Sequence, residues 1–486
     1  MKQLHEYLQD LCREVGISNS ELARRAKIDR PTLVHILAGR RTPTRENLEW
    51  LLLALEATPA QRREVLDRYE LEKTDPALRR QRLCLTDALR QLFQLREDNP
   101  FAGVTPAAGG YILPEGEVCN LNSRGEIRRA LYALLWNYSS GHDTQPLMIP
   151  PTLNMEWQRR TAEILAGMPG GGTVYQLSTF CKNATAESET LHNLDNISMA
   201  LTFAHLPRVR YEAAFCYTQG HERIPGTLFA EYLLFPDCLL TFNSSGKRGA
   251  ILRTPELLDI LHRRYMQDFR EAYAYLRMDT RKLDTVDTHL NIIANIPLEQ
   301  NPIYMLRREP HLLDLLDDDL LEQFFTDAYN TDPIRTLFSH LHERYNAPII
   351  CFFAEAGLRS FAMTGRISDL PDAIYRPFSP IERRMLLQRL LEKCEMGNIQ
   401  LYFVDDDELV PPTDLYLTAS LHGGIHFYQR PSPTDSFQLI RFTEPSTVDA
   451  FLDFLQNLPY SGLTSSRDDV LNALRGWIDR LPTDAP

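Results

Sequence analysis

The stretch SNSELARRAKIDRPTLVHILAGRRTP, residues 18–43, carries the pattern of two short helices separated by a tight turn. Ser18 and Glu21 have the spacing of a capping box, in which the serine accepts a hydrogen bond from the Glu21 amide and the glutamate reaches back. Leu22 and Ala23 give this helix an inner, apolar side. The pattern therefore predicts a short helix that begins at Ser18.

The second helix of this stretch has start and stop signals of its own. Asp29 is a good N-cap, Pro31 is tolerated in the first turn, and Gly39 is placed to end the helix. Its buried face is predicted from apolar residues at helical spacing, namely Leu33, Ile36 and Leu37. The polar residues that fall outside this face are Arg30, Thr32 and His35.

Further helix signals surround these two helices. The N-terminal stretch MKQLHEYLQDLCREVG is amphipathic, and Thr58 with Gln61 forms a second capping box that opens a fifth helix. Thr44 is expected to cap the fourth helix, whose buried face is Leu48, Leu51, Leu52 and Leu55. Five short helices in about seventy residues predict a compact all-α domain over residues 1–72, with a helix-turn-helix at its centre.

The same segment is strongly basic although the whole chain has a net charge of −13. Between residues 24 and 45, one acidic residue, Asp29, stands among seven basic residues: Arg24, Arg25, Lys27, Arg30, Arg40, Arg41 and Arg45. A small basic patch on an acidic body is typical of a local contact with phosphates, whereas an isolated charge cluster is more often a solvated helix face.

The segment ISNSELARRAKIDRPTLVHILAGRRTPTRENLEWLLLALEAT resembles the Xre-type, phage-repressor-like helix-turn-helix of transcriptional regulators. The family pattern has a Ser-polar-x-Glu-Leu-Ala helix, an apolar turn residue, a polar recognition helix, Gly-basic-basic-x-Pro and a leucine-rich fourth helix. Lys27 stands where glycine is frequent, which implies a left-handed backbone there. The resemblance covers residues 1 to about 70, so it implies double-stranded DNA as the partner of this domain.

The resemblance also implies a role for individual side chains. In this family the N-terminal part of the recognition helix meets base edges in the major groove. The residues expected to face the bases are Arg30, Pro31, Thr32 and His35. Ser18 and Asn19 are expected at a phosphate, where the N-terminus of the preceding helix points, and Arg40 and Arg41 are expected to position the DNA backbone without reading sequence.

Residues 73–98 predict a connecting helix, PALRRQRLCLTDALRQLFQLRE. Its apolar stripe is Leu78, Leu85, Leu89, Leu92 and Leu95. This stripe either extends a dimerisation surface or docks the N-terminal domain onto the rest of the chain. Because operators of the family are usually two-fold symmetric, the resemblance implies a homodimer.

Residues 99–486 alternate between strand and helix patterns after a Pro- and Gly-rich linker at 98–116. Strand patterns include PLMIP, TVYQLSTF, VRYEAAFCY, EYLLFPDCLLTFN and GAIL, and helix patterns include GEIRRALYALLWNY, MEWQRRTAEILAGM, LHNLDNISMALTFAHL and PELLDILHRRYMQDFREAYAYL. This alternation predicts a large α/β body with a mixed sheet, so the chain is expected to be multidomain.

The body shows a weak internal duplication. In both copies strands precede a helix with a Thr-Pro start, Thr254-Pro255-Glu256 in the first and Thr443-Glu444-Pro445 in the second. We therefore expect two pseudo-repeated halves, 99–285 and 347–486, joined by an acidic helical region at 286–346.

The order of elements in these halves resembles the phospholipase-D-like domains that some regulators use as sensors. Enzymes of that family need a His-x-Lys pair in each half, and this chain contains no His-x-Lys. The resemblance therefore implies an inactive domain that senses a ligand.

Three other patterns are candidates for chemical sites. Residues 170–172 are three glycines before a strand, which indicates a turn, because phosphate-binding glycines follow a strand and open a helix. The acidic run 405–408 ends a strand and reads either as a solvated loop or as a metal or catalytic site. His422 and His426 would share a face of one strand, but the sequence shows no third metal ligand. No catalytic residue, metal site or cofactor is predicted.

Composition supports a soluble, cytoplasmic chain. Apolar residues make up 43% and charged residues 24%, and no apolar run approaches the roughly 20 residues that span a membrane. The eight cysteines form no CxxC pair, and the N-terminus has no apolar centre of a signal peptide.

Two functions from different classes remain. The first is a sequence-specific transcriptional regulator whose body senses an unknown small-molecule or protein effector or oligomerises. The second is an enzyme, a nuclease or nucleotide-processing protein with a role in defence, that carries a DNA-binding head. Since no complete catalytic motif occurs, the sequence favours the regulator.

Overall fold

The computed structural model describes residues 2–97, 112–141, 145–168, 170–182, 187–204, 206, 208–218, 231–276, 301–317, 320, 347–367, 375–405, 408–413, 415–429 and 438–482. Within them the chain forms a helical N-terminal domain and a body with two mixed sheets, which confirms the expected multidomain fold class.

The N-terminal domain, called the head below, consists of five helices. They are α1 (Leu4–Val15), α2 (Asn19–Arg25), α3 (Arg30–Leu37), α4 (Arg45–Ala54) and α5 (Pro59–Lys73). Asp29 caps α3 and Thr44 caps α4, and Thr58 with Gln61 forms a complete capping box at α5, as predicted. The head has its own core, to which α3 contributes Leu33, Ile36 and Leu37, all almost fully buried.

The start of α2 differs from the predicted capping box. Ser18 accepts a hydrogen bond from the Glu21 amide at 3.3 Å. The Glu21 carboxylate does not reach back, because it binds Arg24 and Arg25 on the next turn. The turn between α2 and α3 is left-handed at Lys27, with φ 52°, as the resemblance implied.

The connecting helix α6 (Pro76–Glu97) docks against the body. Leu85, Leu89 and Leu92 are buried in the main core, whereas Leu78 is 40% exposed, so the predicted stripe is wrong for the first part of the helix. The side chain of Leu95 lies outside the described residues. The second part of α6 therefore joins the head to the body.

The first half of the body contains one sheet with helices on both faces. Its helices are α7 (Arg124–Ser140), α8 (Met155–Ala166), α9 (Glu187–Ala204) and α10 (Pro255–Glu271). Its strands are β1 (Val118–Leu121), β2 (Leu147–Ile149), β3 (Gly172–Cys181), β4 (Val209–Thr218), β5 (Glu231–Leu234), β6 (Leu239–Phe242), β7 (Gly249–Leu252) and β8 (Tyr273–Leu276). The strand order in the described residues is β1-β7-β6-β5-β2-β3-β4-β8, and β2, β3 and β4 are parallel.

The second half repeats this arrangement. Its strands are β9 (Ile303–Arg307), β10 (Ile349–Phe353), β11 (Ile399–Phe403), β12 (Leu415–Ser420), β13 (Gly424–Gln429) and β14 (Gln438–Phe442). Its helices are α11 (Glu355–Thr364), α12 (Pro380–Glu395), α13 (Pro445–Asn457) and α14 (Arg467–Arg480). The strand order is β11-β10-β9-β12-β13-β14, with β9, β10 and β11 parallel.

Six strands of the first sheet have the same topology as the second sheet, while β1 and β8 are additional edge strands. In each half, three parallel strands are followed by an antiparallel meander that starts next to the first of them, and then by a helix: β5-β6-β7 and α10 in one half, β12-β13-β14 and α13 in the other. The structure thus supports a duplication that the sequence shows only as element order.

Three stretches of the body differ from their sequence patterns. EYLLFPDCLLTFN is a hairpin of two strands, because the chain turns at Pro236 and Asp237. The end of the pattern expected to form α10 is a separate strand, β8, and β9 lies within the region expected to be helical. Most of that acidic region, and residues 98–111 of the linker, lie outside the described residues.

The halves meet along α9, α13 and α6, and strand β8 lies beside β14. A buried polar bridge crosses this junction: Asn193 on α9 donates to the Ser446 hydroxyl at 3.0 Å, which in turn donates to Glu444 at 2.6 Å. Over the part of the chain that the structure describes, no helix has the length and apolar character needed to cross a membrane.

Candidate nucleic-acid interface

The outward face of α3 begins at the Asp29 cap. The Asp29 carboxylate accepts a hydrogen bond from the Thr32 amide at 2.8 Å. Hydrogen bonding by the Thr32 side chain, then by this amide, lowers the pKa of Asp29, with the charge of Arg41 as a smaller contribution. Arg30, Pro31 and His35 are exposed and Thr32 is half-exposed. The structure therefore brings the four predicted base-facing residues to one surface of the helix.

Val34 also belongs to this face, and sequence reasoning missed it. It is 43% exposed, whereas its neighbour Leu33 is fully buried. Val34 lies one helical turn after Arg30, so the two side chains are neighbours on the surface. The sequence signal for an exposed Val34 is its position outside the spacing of three and four residues that the buried apolar residues of α3 follow.

The predicted phosphate contacts lie at the start of α2 and after the end of α3. Ser18 and Asn19 are exposed at the N-terminus of α2, and Arg40 and Arg41 are exposed after α3. Gly39 connects α3 to these arginines in a left-handed conformation, φ 68°.

Helix α1 fixes the exit from α3. Gln9 donates to the Leu37 carbonyl at 2.5 Å, and the His5 ring covers Gly39 so closely that a Cβ there would lie 2.7 Å from its Nδ1 atom. Both the left-handed backbone and this contact require glycine at position 39. The positions of Arg40 and Arg41 are therefore set by packing within the head.

The basic patch is narrower than its sequence suggests. Hydrogen bonds from Arg24, and then from Arg25, lower the pKa of Glu21 to about 2, so this one carboxylate offsets one of the two arginine charges. Lys27 lies 4.6 Å from the centre of the Trp50 ring.

Arg45 is not part of this patch, because its side chain binds Glu70 of the head at 2.7 Å and Asn457 of the body at 2.9 Å. Among the described residues, the exposed cations of the predicted set without a carboxylate partner are Lys27, Arg30, Arg40 and Arg41. Lys27 precedes α3, Arg30 begins it, and Arg40 and Arg41 follow it, so this positive charge lies at the two ends of the helix.

The acidic run after β11 is engaged by the head. Arg63 on α5 binds Asp405 at 3.0 Å and Glu408 at 3.1 Å, and Arg90 on α6 also binds Glu408. Residues 406–407 lie outside the described residues. The sequence left two alternatives for this run, a solvated loop and a metal or catalytic site. The structure adds a third role, because Asp405 and Glu408 join the head to the body.

The two histidines do not form a strand pair. His422 is exposed in the turn before β13, whereas His426 lies within β13 and is 3% exposed. Burial, together with the charge of Arg441, lowers the pKa of His426 to about 3, which keeps its ring neutral. The glycines at 170–172 precede and begin β3, and an added Cβ at Gly172 would lie 2.6 Å from the Tyr138 ring, so glycine lets this strand pack closely on α7.

A comparison with known protein families finds a match for the head. Residues 3–65 match the model of a family described as a helix-turn-helix domain. The chain therefore carries a helix-turn-helix domain, and DNA is the partner that such a domain supports. Comparison with curated proteins finds no match.

Solved structures show only distant similarity. Phosphatidylserine synthase of Haemophilus influenzae is 10% identical, with 76% of this chain and 94% of that chain covered and a TM-score of 0.25. Polyphosphate kinase of Porphyromonas gingivalis is 10% identical, with 74% and 55% covered and a TM-score of 0.22. TrmBL2, an archaeal chromatin protein, is 11% identical, with 55% and 97% covered and a TM-score of 0.21. At these values the similarities carry no functional argument.

Proposed function

We propose that this protein is a sequence-specific, DNA-binding transcriptional regulator of the Xre type, active as a homodimer, whose body senses a small-molecule or protein effector. The observation that carries the proposal is the outward face of α3, which exposes Arg30 and Val34. The exposed N-terminus of α2 precedes this helix in the chain, and the exposed Arg40 and Arg41 follow it. An exposed helix with cations at its edges has the form of a major-groove reader.

Within this surface the side chains have different tasks. Arg30 is suited to grip guanine with two hydrogen bonds, and Val34 and Thr32 offer methyl groups to thymine. Arg40 and Arg41 follow the helix and bind phosphates. Ser18 and Asn19 bring the N-terminus of α2 to another phosphate, where backbone amides favour negative charge.

The body is suited to sensing because it consists of two similar halves with a polar junction. A sensor needs two arrangements whose balance a ligand changes, and it needs no activated nucleophile. The enzyme alternative loses support at Asp405 and Glu408, since arginines from α5 and α6 occupy these carboxylates.

Enrichment of random DNA duplexes by the full-length protein tests this function. We expect a recurring sequence motif, and binding that weakens with salt by a slope of about −2 per head from Arg40 and Arg41. Enrichment without any preferred sequence would contradict the proposal. The enzyme alternative is tested in parallel with labelled DNA, RNA and nucleotides in magnesium or manganese, where turnover would replace the regulator as the better explanation.

A further inference from the structure

Two clusters of arginines join the head to the second half of the body. In the first cluster, Arg63 and Arg90 hold Asp405 and Glu408. Burial alone would raise the pKa of Glu408, but hydrogen bonds from Arg63 and the charge of Arg90 outweigh it and lower the pKa. Glu408 therefore remains charged at neutral pH and holds both arginines in place.

The second cluster lies around Glu70 on α5. Arg45 and Arg82 bind its two carboxylate oxygens at 2.7 and 2.8 Å. Arg82 also binds both oxygens of Asp453 on α13, at 2.7 and 2.9 Å. Arg82, Glu70 and Asp453 are largely buried, so this bidentate contact is screened less by solvent than a surface ion pair.

Arg45 extends the second cluster to the end of α13. It donates to Asn457 at 2.9 Å, and its guanidinium lies 3.9 Å from the centre of the Tyr460 ring. A residue of the basic stretch next to the recognition helix is thus part of the contact with the body.

The backbones also approach closely at this interface. A Cβ added to Gly462 would lie 3.0 Å from the Cα atom of Arg63. The segment around Gly462 is itself fixed to the end of β11, because the Asp405 amide donates to the Leu463 carbonyl at 2.8 Å. The surface that receives the head is therefore continuous with the carboxyl end of a parallel strand.

The docked head leaves its DNA-facing surface open. Helix α3 contributes no residue to either cluster, and Arg30, Arg40 and Arg41 remain exposed. Docking therefore does not block α3; it fixes the direction in which α3 points. The carboxyl ends of parallel strands are where open α/β sheets usually bind ligands, so a change at this edge has a short physical route to the head.

We propose that this interface, formed by the two arginine clusters and Gly462, is a coupling device: it holds the head at a fixed angle on the second half, so that rearrangement at the carboxyl edge of β11 repositions α3. The regulatory part of the proposal rests on the proposed function. In a dimer, heads held at a fixed angle present their two recognition helices at one spacing, and free heads lose that preorganisation.

A steric wedge tests the coupling without changing charge. Gly462→Leu should separate the head from the body, whereas Gly476→Leu on α14 is the matched control, because nothing lies within 4 Å of a Cβ there. Hydrogen exchange of the full-length protein should become faster in α5 and in residues 458–464 for Gly462→Leu alone, and it should remain unchanged in α1. Arg63→Gln, which removes one charge and little volume, should give the same pattern more weakly.

DNA binding by the same full-length variants completes the test. Gly462→Leu should lose about tenfold or more affinity for the enriched two-half-site DNA, with unchanged affinity for one half-site. Unchanged exchange in both interface segments would overturn the docked arrangement, and faster exchange with unchanged two-site affinity would overturn its regulatory role. If the wild-type protein enriches no sequence, the proposed function fails, while the exchange data still report whether the head is held.

Discussion

Val34 and Arg45 show how surroundings decide what a residue does. Val34 is an apolar residue that the fold leaves at the surface of α3, beside Arg30. Arg45 is a cation of the basic stretch that the fold turns away from that surface and onto Glu70 and Asn457. One residue thereby joins the candidate interface with DNA, and the other leaves it.

Replacing Val34 by serine should change base preference and leave the fold intact. Because the side chain is exposed, we expect the free energy of unfolding to change by no more than about 0.5 kcal/mol. Affinity for the preferred sequence should fall, since a methyl contact with thymine is lost, while affinity for random DNA stays the same. Competition binding with DNA in which uracil replaces thymine checks the contact. If this replacement reduced the affinity of the wild type equally for the preferred sequence and for random DNA, the result would count against the contact.

Glu382 in the second half should make stability depend on pH. A bidentate ion pair with Arg376, at 2.6 and 2.8 Å, lowers the pKa of Glu382 to about 2 although burial opposes ionisation. A carboxyl group whose pKa is lowered in the folded state stabilises the fold at pH values above its ordinary pKa of 4.5. This stabilisation is lost as the pH falls toward 2.

Chemical denaturation of the wild type and Glu382→Gln at several pH values measures this effect. At pH 7 the variant should be less stable by roughly 2 kcal/mol, after allowance for the exposed side of Arg376. The difference should shrink between pH 5 and pH 2. A difference independent of pH would mean that Glu382 acts through packing and not through its charge.

At the scale of elements, local signals in the sequence predicted the head well. Short polar caps such as Asp29 and Thr44 act on amides three residues away, so their effect can be seen in the sequence itself. The body was harder, because a hairpin turn at Pro236-Asp237 lies inside one apolar run and β8 follows α10 without a break. The contacts of Arg45 and Asp405 depend on partners hundreds of residues away in the chain, so no local pattern predicts them.

Helix α6 provides a direct test of docking. Leu89 is fully buried in the main core and Leu78 is 40% exposed on the same helix. Leu89→Ala should lower the free energy of unfolding by about 2–5 kcal/mol, because it leaves a cavity. Leu78→Ala should change it by at most about 0.5 kcal/mol. Thermal or urea denaturation distinguishes the two, and equal effects would show that α6 is not anchored through its second part.

At the scale of the whole molecule, a small basic surface is attached to a large acidic body. In the proposed function, the net charge of −13 repels DNA from most of the chain and favours contact at the exposed arginines around α3. The docking proposed above lets the body set the orientation of α3.

The proposed homodimer is tested by light scattering. The expected mass in solution is twice the 56.0 kDa of one chain, both free and bound to DNA. Protection of DNA should extend over two half-sites about one helical turn apart or a multiple of it. The mass of a single chain in both states would exclude the dimer and leave the DNA-reading role of the head to be judged separately.

The most direct test of the central claim compares Arg30→Ala with Arg41→Ala in binding to specific and random DNA. We predict that Arg30→Ala weakens binding to the specific sequence by roughly 1–3 kcal/mol and binding to random DNA only a little, because the substitution removes a base contact. Arg41→Ala should weaken binding to both DNAs by the same factor, because it removes a phosphate contact. If both variants changed specific and random binding in the same ratio, α3 would not read sequence through Arg30, and the account would be contradicted.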